Sequence, residues 1–139
     1  MNIINNFEFA KEHSVLSGFL DVSKSDRLLD IVSNGSGLLD FKLTGFHDQK
    51  NRLSIEIEIC GIIMTVCQFC LKNLEMSINH SWVVVIVKNE QEQIKTLFQE
   101  EDYADAIIAD AKFDVINFIE DEIIMQLPIA PKHEQCELA

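Results

Sequence analysis

From Leu53 onward the chain alternates. Leu53, Ile55, Ile57 and Ile59 are apolar, and Ser54, Glu56, Glu58 and Cys60 stand between them. A period of two puts each set on its own face, so the segment predicts a half-buried β-strand. At Gly61 the phase slips, because the next apolar set is Ile62, Met64 and Val66; a glycine at such a slip predicts a bulge. A second alternation puts Leu74, Met76, Ile78, Trp82, Val84 and Ile86 on one face, and Asn73, Glu75, Ser77, Asn79 and Ser81 on the other. By Val83 both faces are apolar, which predicts entry into a sheet interior. Residues 38–47 read as a further strand, followed by a turn from Asp48 to Asn51.

Two segments carry helical spacing. Over residues 23–32, Leu28, Leu29 and Val32 share a face, Ser23 stands as N-cap, Asp26 lies in the first turn, and Asn34 and Gly35 stop the helix. Over residues 114–127, Ile116, Ile119, Ile123 and Leu127 form an apolar stripe, with Asn117, Glu120 and Asp121 away from it. Asp114 caps this helix and Pro128 ends it. Residues 89–110 hold seven acids against Lys95 alone. They read as a solvated connection with a short helix around Gln93 to Phe98, or as a docking surface for a basic partner. Long strands with short connections predict an antiparallel, partly closed, barrel-like sheet. The expected class is α+β: that sheet, a short N-terminal helix and a C-terminal amphipathic helix, in one domain over residues 1–139.

Charge changes the functional picture. The 139 residues carry 11 Lys and Arg against 23 Asp and Glu, a net charge of -12. Proteins that bind nucleic-acid backbones neutralise phosphates with Lys and Arg, and no Lys/Arg-rich run occurs here. Any link to RNA is therefore expected to run through a basic protein partner. The first residues, MNIINNFEFAKEHS, lack a basic start followed by an apolar stretch. The most apolar run, Trp82 to Val87, is too short to cross ~30 Å of hydrocarbon. The chain reads as cytoplasmic, with no membrane partner and with reduced cysteines.

The cysteines supply the one chemical constellation. Cys67-Gln68-Phe69-Cys70 is a CxxC, and His133-Glu134-Gln135-Cys136 is an HxxC. Cys67, Cys70, His133 and Cys136 together make a Cys3His set suited to structural zinc. Cys67 and Cys70 also fit as small buried side chains, or as a redox pair outside the βαβ context usual for that motif. Cys60 reads as a spare thiol and His80 as a packed histidine. Glu120, Asp121 and Glu122 form an acidic run that reads as a solvated face or as a partner-facing surface. Consecutive helical residues fan out around the axis, which argues against their converging on one ion in a metal-dependent RNA hydrolase. A direct RNA-binding module is the other alternative, and the missing basic patch counts against it.

Two blocks resemble a known family. The first is Val66-Cys67-Gln68-Phe69-Cys70-Leu71, followed by a long alternating strand. The second runs from Ile119-Glu120-Asp121-Glu122 through Leu127-Pro128-Ile129-Ala130-Pro131-Lys132-His133 to Cys136. Together they resemble the YceD-like family, the large ribosomal RNA subunit accumulation proteins, over essentially the whole chain. Phe69 stands where that family usually has Arg. The resemblance implies a non-enzymatic role in the synthesis, processing or stability of large-subunit ribosomal RNA. It also suggests a basic ribosomal protein, or an assembly intermediate, as partner. The zinc set comes from residue spacing and is not implied by the family.

Overall fold

The computed structural model describes residues 3–29, 35–67, 70–97 and 105–126. Along the chain the elements are β1 (Ile3–Ile4), α1 (Asn6–Lys11), β2 (Val15–Asp21), a 3-10 turn (Val22–Lys24) and α2 (Asp26–Leu29). There follow β3 (Leu38–His47), β4 (Leu53–Val66), β5 (Asn73–Val87), α3 (Glu90–Leu97), β6 (Asp105–Ile108), β7 (Phe113–Asp114) and α4 (Val115–Gln126). The α+β class holds, as do the strands over 38–47, 53–66 and 73–87 and the amphipathic helix near the C-terminus.

The barrel does not. Five strands lie in the order β2-β3-β4-β5-β6, so the sheet is open, with β2 and β6 as its edges among the described residues. Nor is it antiparallel throughout. β6 runs parallel to β5, with Val84 opposite Asp105 and Val87 opposite Ile108. A parallel neighbour needs a crossover, and α3 lies within it. The acidic stretch thus contains a helix of Glu90–Leu97, started by Asn89, whose Oδ1 accepts from the Glu92 N–H at 2.9 Å. Gln93 Nε2 donates to the Ala106 carbonyl at 2.7 Å, tying α3 to β6. A separate two-stranded sheet pairs β1 with β7 antiparallel.

No residue is inserted at Gly61. At the hairpin end, the Asp48 N–H donates to the Arg52 carbonyl. At the far end Ser36 bridges Met64 antiparallel. Residues 36 to 48 therefore span the same twelve steps as 52 to 64, and the buried parity runs on through Ile55, Ile57, Ile59, Ile63, Thr65 and Cys67. The expected bulge is absent, and Ile62 and Met64 point outward. What Gly61 supplies is clearance: its φ is 157°, and a Cβ there would come within 2.5 Å of the Leu38 carbonyl oxygen.

The first helix also differs. Ser25 caps α2, its Oγ accepting from the Leu28 N–H at 3.3 Å, while Val22–Lys24 forms a 3-10 turn. The expected end of that helix, over residues 30–34, lies outside the described residues. An earlier helix, α1, is started by Asn5, whose side chain accepts from the Glu8 N–H at 3.1 Å. Glu8 in its first turn and Lys11 in its last suit the helix dipole.

By contacts the chain forms two compact units. One comprises Met1–Gly18, Phe41–Glu58 and His80–Val115, with Phe9, Ala10, Phe41, Leu43, Ile55, Ile57, Val84 and Val115 in its interior. There α1 lies against β3 so closely that a Cβ on Gly45 would meet the Phe9 carbonyl oxygen at 2.5 Å. The other comprises Phe19–Asp40, Ile59–Asn79 and Ile116–Ala139, with Leu20, Val22, Leu28, Leu39, Ile59, Ile63, Leu74, Ile119 and Ile123 buried.

Asp48 organises the β3–β4 turn. Its carboxylate accepts from the N–H groups of Lys50 (3.0 Å) and Arg52 (2.8 Å) and from Arg52 Nε (2.7 Å). Burial pushes its pKa up, but the Arg52 and backbone hydrogen bonds outweigh that and hold it below the usual carboxylate value. A depressed folded pKa gives stability that is present at neutral pH and lost as pH falls through that pKa. Asp48→Asn is therefore expected to cost about 1–2 kcal/mol at neutral pH. In urea unfolding, the gap to the parent chain should shrink below about pH 4. A gap that persists unchanged in acid would show that the ionised turn is not its source.

Candidate functional site

The CxxC lies where β4 ends. The Cys67 N–H donates to the Lys72 carbonyl at 2.8 Å, and the Leu71 N–H donates to the Cys67 carbonyl at 2.9 Å. Leu71 takes a left-handed φ of 62° to close this turn. Cys67 is fully buried and Cys70 half-buried, so two thiols three residues apart share one tight connection. His133 and Cys136 lie outside the described residues, as do Gln68 and Phe69. Among the described residues no group of three or more His, Cys, Asp or Glu side chains is gathered as a metal set. Cys60 is exposed on the polar face of β4, as a spare thiol would be.

The acidic run on α4 is built differently from the expected solvated face. Ile119 and Ile123 are buried as the stripe requires, yet Glu120 beside them is only 9% exposed. Its carboxylate accepts a hydrogen bond from Ser25 Oγ and lies 3.6 Å from Arg27 Nη1. Asp121 accepts from Arg27 Nη2, and the Asn117 carbonyl accepts from Arg27 Nη1 at 3.1 Å. One guanidinium on α2 thus engages three residues of α4. The Asp121 hydrogen bond, opposed by desolvation and aided by the Asp121 and Glu120 charges, raises the Arg27 pKa. Glu122 is half-buried.

Elsewhere, a cleft of about 530 Å³ opens beside the β3–β4 turn. Phe46, Trp82, Lys50, Arg52, Asp48 and Asp105 line it, so its two cations are matched by two acids. Arg52 Nη2 lies 2.7 Å from Asp48 Oδ2. His47, also on the lining, has its Nδ1 2.8 Å from His13 Nε2. Nothing local relates these two histidines, which are 34 residues apart. His80 stacks on Trp82 with ring centroids 4.8 Å apart, a packed histidine as the alternation predicts.

A family model described as large ribosomal RNA subunit accumulation protein YceD matches residues 55–139, which is 85 of the 139 residues. The chain belongs to the YceD family. No curated protein and no solved structure matches it. The YceD match takes in the CxxC turn and α4, whereas Ser25 and Arg27 precede it. The YceD-matched Glu120 and Asp121 are thus held by residues from outside the matched span. The YceD description speaks of RNA accumulation and of no reaction. Among the described residues no helix is long and apolar enough to cross a membrane.

The two acids held by α2 should differ in energetic weight. Ser25→Ala leaves a buried carboxylate short of a donor and is expected to cost about 1–2 kcal/mol. Asp121→Ala breaks a pair whose side chains are 39% and 51% exposed, and is expected to cost less than Ser25→Ala because solvent screens the pair. Urea denaturation measures both. Equal losses would place the anchoring of α4 elsewhere than in the Ser25–Glu120 contact.

Proposed function

We propose that this chain supports the accumulation of large-subunit ribosomal RNA as a binding factor. In this reading it holds a basic protein of the assembling subunit and catalyses no reaction. Family membership over residues 55–139 carries the proposal. The net charge of -12 supports contact through a basic protein rather than with phosphates directly. The pairing of both arginines with the chain's own acids supports it too: Arg27 with Glu120 and Asp121, Arg52 with Asp48. The exposed part of the Asp121 and Glu122 run belongs to the acidic surface offered to the partner. The test is the ratio of large- to small-subunit ribosomal RNA in cells with and without the gene. We expect loss of the gene to lower the ratio at least about twofold, with recovery on complementation. A ratio unchanged in slow and fast growth would remove the proposal.

The same reading includes a structural zinc ion held by Cys67, Cys70, His133 and Cys136. Two thiols on one closed turn supply half of a tetrahedral thiolate–imidazole set. Bound there, zinc would pin the C-terminal residues to the β4–β5 turn, and its affinity would become folding free energy for that region. Elemental analysis of the purified chain is expected to find about one zinc per chain, lost in Cys70→Ser. Cys70 is the better position to change because Cys67 is also core. Metal-free protein from zinc-replete cells would refute the assignment.

A further inference from the structure

Strand register in the second unit brings a set of apolar side chains to the surface. Even-numbered residues of β4 point away from the core there, so Ile62 and Met64 are 43% and 37% exposed while Ile63 between them is buried. The Ser36–Met64 bridge sets Leu38, 59% exposed, across from Ile62. The Val22 N–H donates to the Gly37 carbonyl at 3.0 Å, which sets Phe19, 72% exposed, across from Asp40. Three neighbouring strands therefore present four large apolar side chains on one face, a cost to an isolated protein that usually marks a contact surface. Within this unit the charged residues at the outward positions of these three strands are Asp21 and Asp40; farther along the same rows stand Lys42 on β3 and, opposite it, Glu58 on β4, with Glu56 beyond. On β5 the only one within the unit is Glu75, set opposite Met64 by the bond from Cys67 N–H to the Lys72 carbonyl. Asp21, Asp40 and Glu75 are all acids.

We propose that this face docks a basic, amphipathic segment of a protein partner. Apolar side chains of that segment seat on Phe19, Leu38, Ile62 and Met64, while its Lys or Arg residues reach Asp21, Asp40 and Glu75. The charges select the occupant. A second copy of the chain brings another -12 and the same acids, and RNA or an anionic lipid surface meets like charge. A cationic segment gains on both counts. The proposal rests on the reading that the chain works through a basic partner, and it gives that partner a surface.

Photo-crosslinking in cells tests it, with a benzoylphenylalanine at position 19 or 62 of the full chain and adducts identified by mass spectrometry. Position 15 is the control, since Val15 is an equally apolar residue, 58% exposed, in the other unit. We expect positions 19 and 62 to label the same Lys/Arg-rich protein at least tenfold more than position 15. We also expect Asp40→Asn combined with Glu75→Gln to cut that yield at least threefold without changing the melting temperature. Adducts with a second copy of the chain, with RNA or with an acidic protein would overturn the proposal, as would labelling no stronger than at position 15. Ribosomal RNA measured in the same cells separates the two readings. A specific basic adduct with a normal RNA ratio keeps the surface and removes the RNA role, and a lowered ratio without an adduct does the reverse.

Discussion

The register of the β3–β4 pair is the constraint on which the rest depends. Side chains alternate with a period of two, so a slip of one residue would exchange Ile55, Ile57, Ile59 and Ile63 for Glu56, Glu58, Cys60 and Ile62 in the core. Asp48 fixes the register at one end, because its carboxylate gathers two N–H groups and the Arg52 side chain into one turn. The Ser36–Met64 bridge fixes the other end. Between them Gly61 allows the strands to approach without a bulge. The core is one product of this register. The outward row of Leu38, Ile62 and Met64 is the other, so the apolar face is built in by the pairing that fills the interior.

Each unit then relies on one polar tie between distant parts of the chain. In the first, Asn6 is fully buried and bonded through its backbone N–H and through both ends of its side-chain amide. Its backbone N–H donates to the Asp110 carbonyl, its amide nitrogen donates to the Ile108 carbonyl, and its amide oxygen accepts from the Asp110 N–H at 2.8 Å. This holds α1 against the end of β6 across 102 to 104 residues. In the second, Ser25 and Arg27 hold α4 across 90 to 95 residues. A buried polar group is costly without partners, so such ties specify one arrangement as well as stabilising it.

What the sequence reveals follows the range of the interactions involved. β3, β4, β5 and α4 are legible because alternation and helical spacing are local properties. β6 was hidden because DAII carries no period, and it becomes a strand only when α3 returns the chain beside Val84–Val87. β2, with Gly18 in its middle, was hidden for a similar reason: its partner fixes it, not its pattern. Gly61 misled because Ile62 and Met64 look like core residues. They look so because an exposed apolar face and a buried one have the same composition. Glu120 misled in the opposite direction. Helical spacing placed it off the apolar stripe, and only Ser25 and Arg27 explain its burial. The family blocks were legible without any of this geometry, because the CxxC turn and the acidic helix with its prolines are read residue by residue.

The use of charge follows from these placements. The chain has two arginines, the residues best shaped to grip phosphate through a planar pair of donors. Both are spent internally, Arg52 on the Asp48 turn and Arg27 on the acids of α4. The remaining nine cations are lysines set against an excess of acids. A protein that worked by gripping RNA would have to free its arginines from the contacts that hold its register and its last helix in place. One that grips a basic partner needs no such change, because Asp21, Asp40 and Glu75 lie outside those pairs, on the face that carries Phe19, Leu38, Ile62 and Met64.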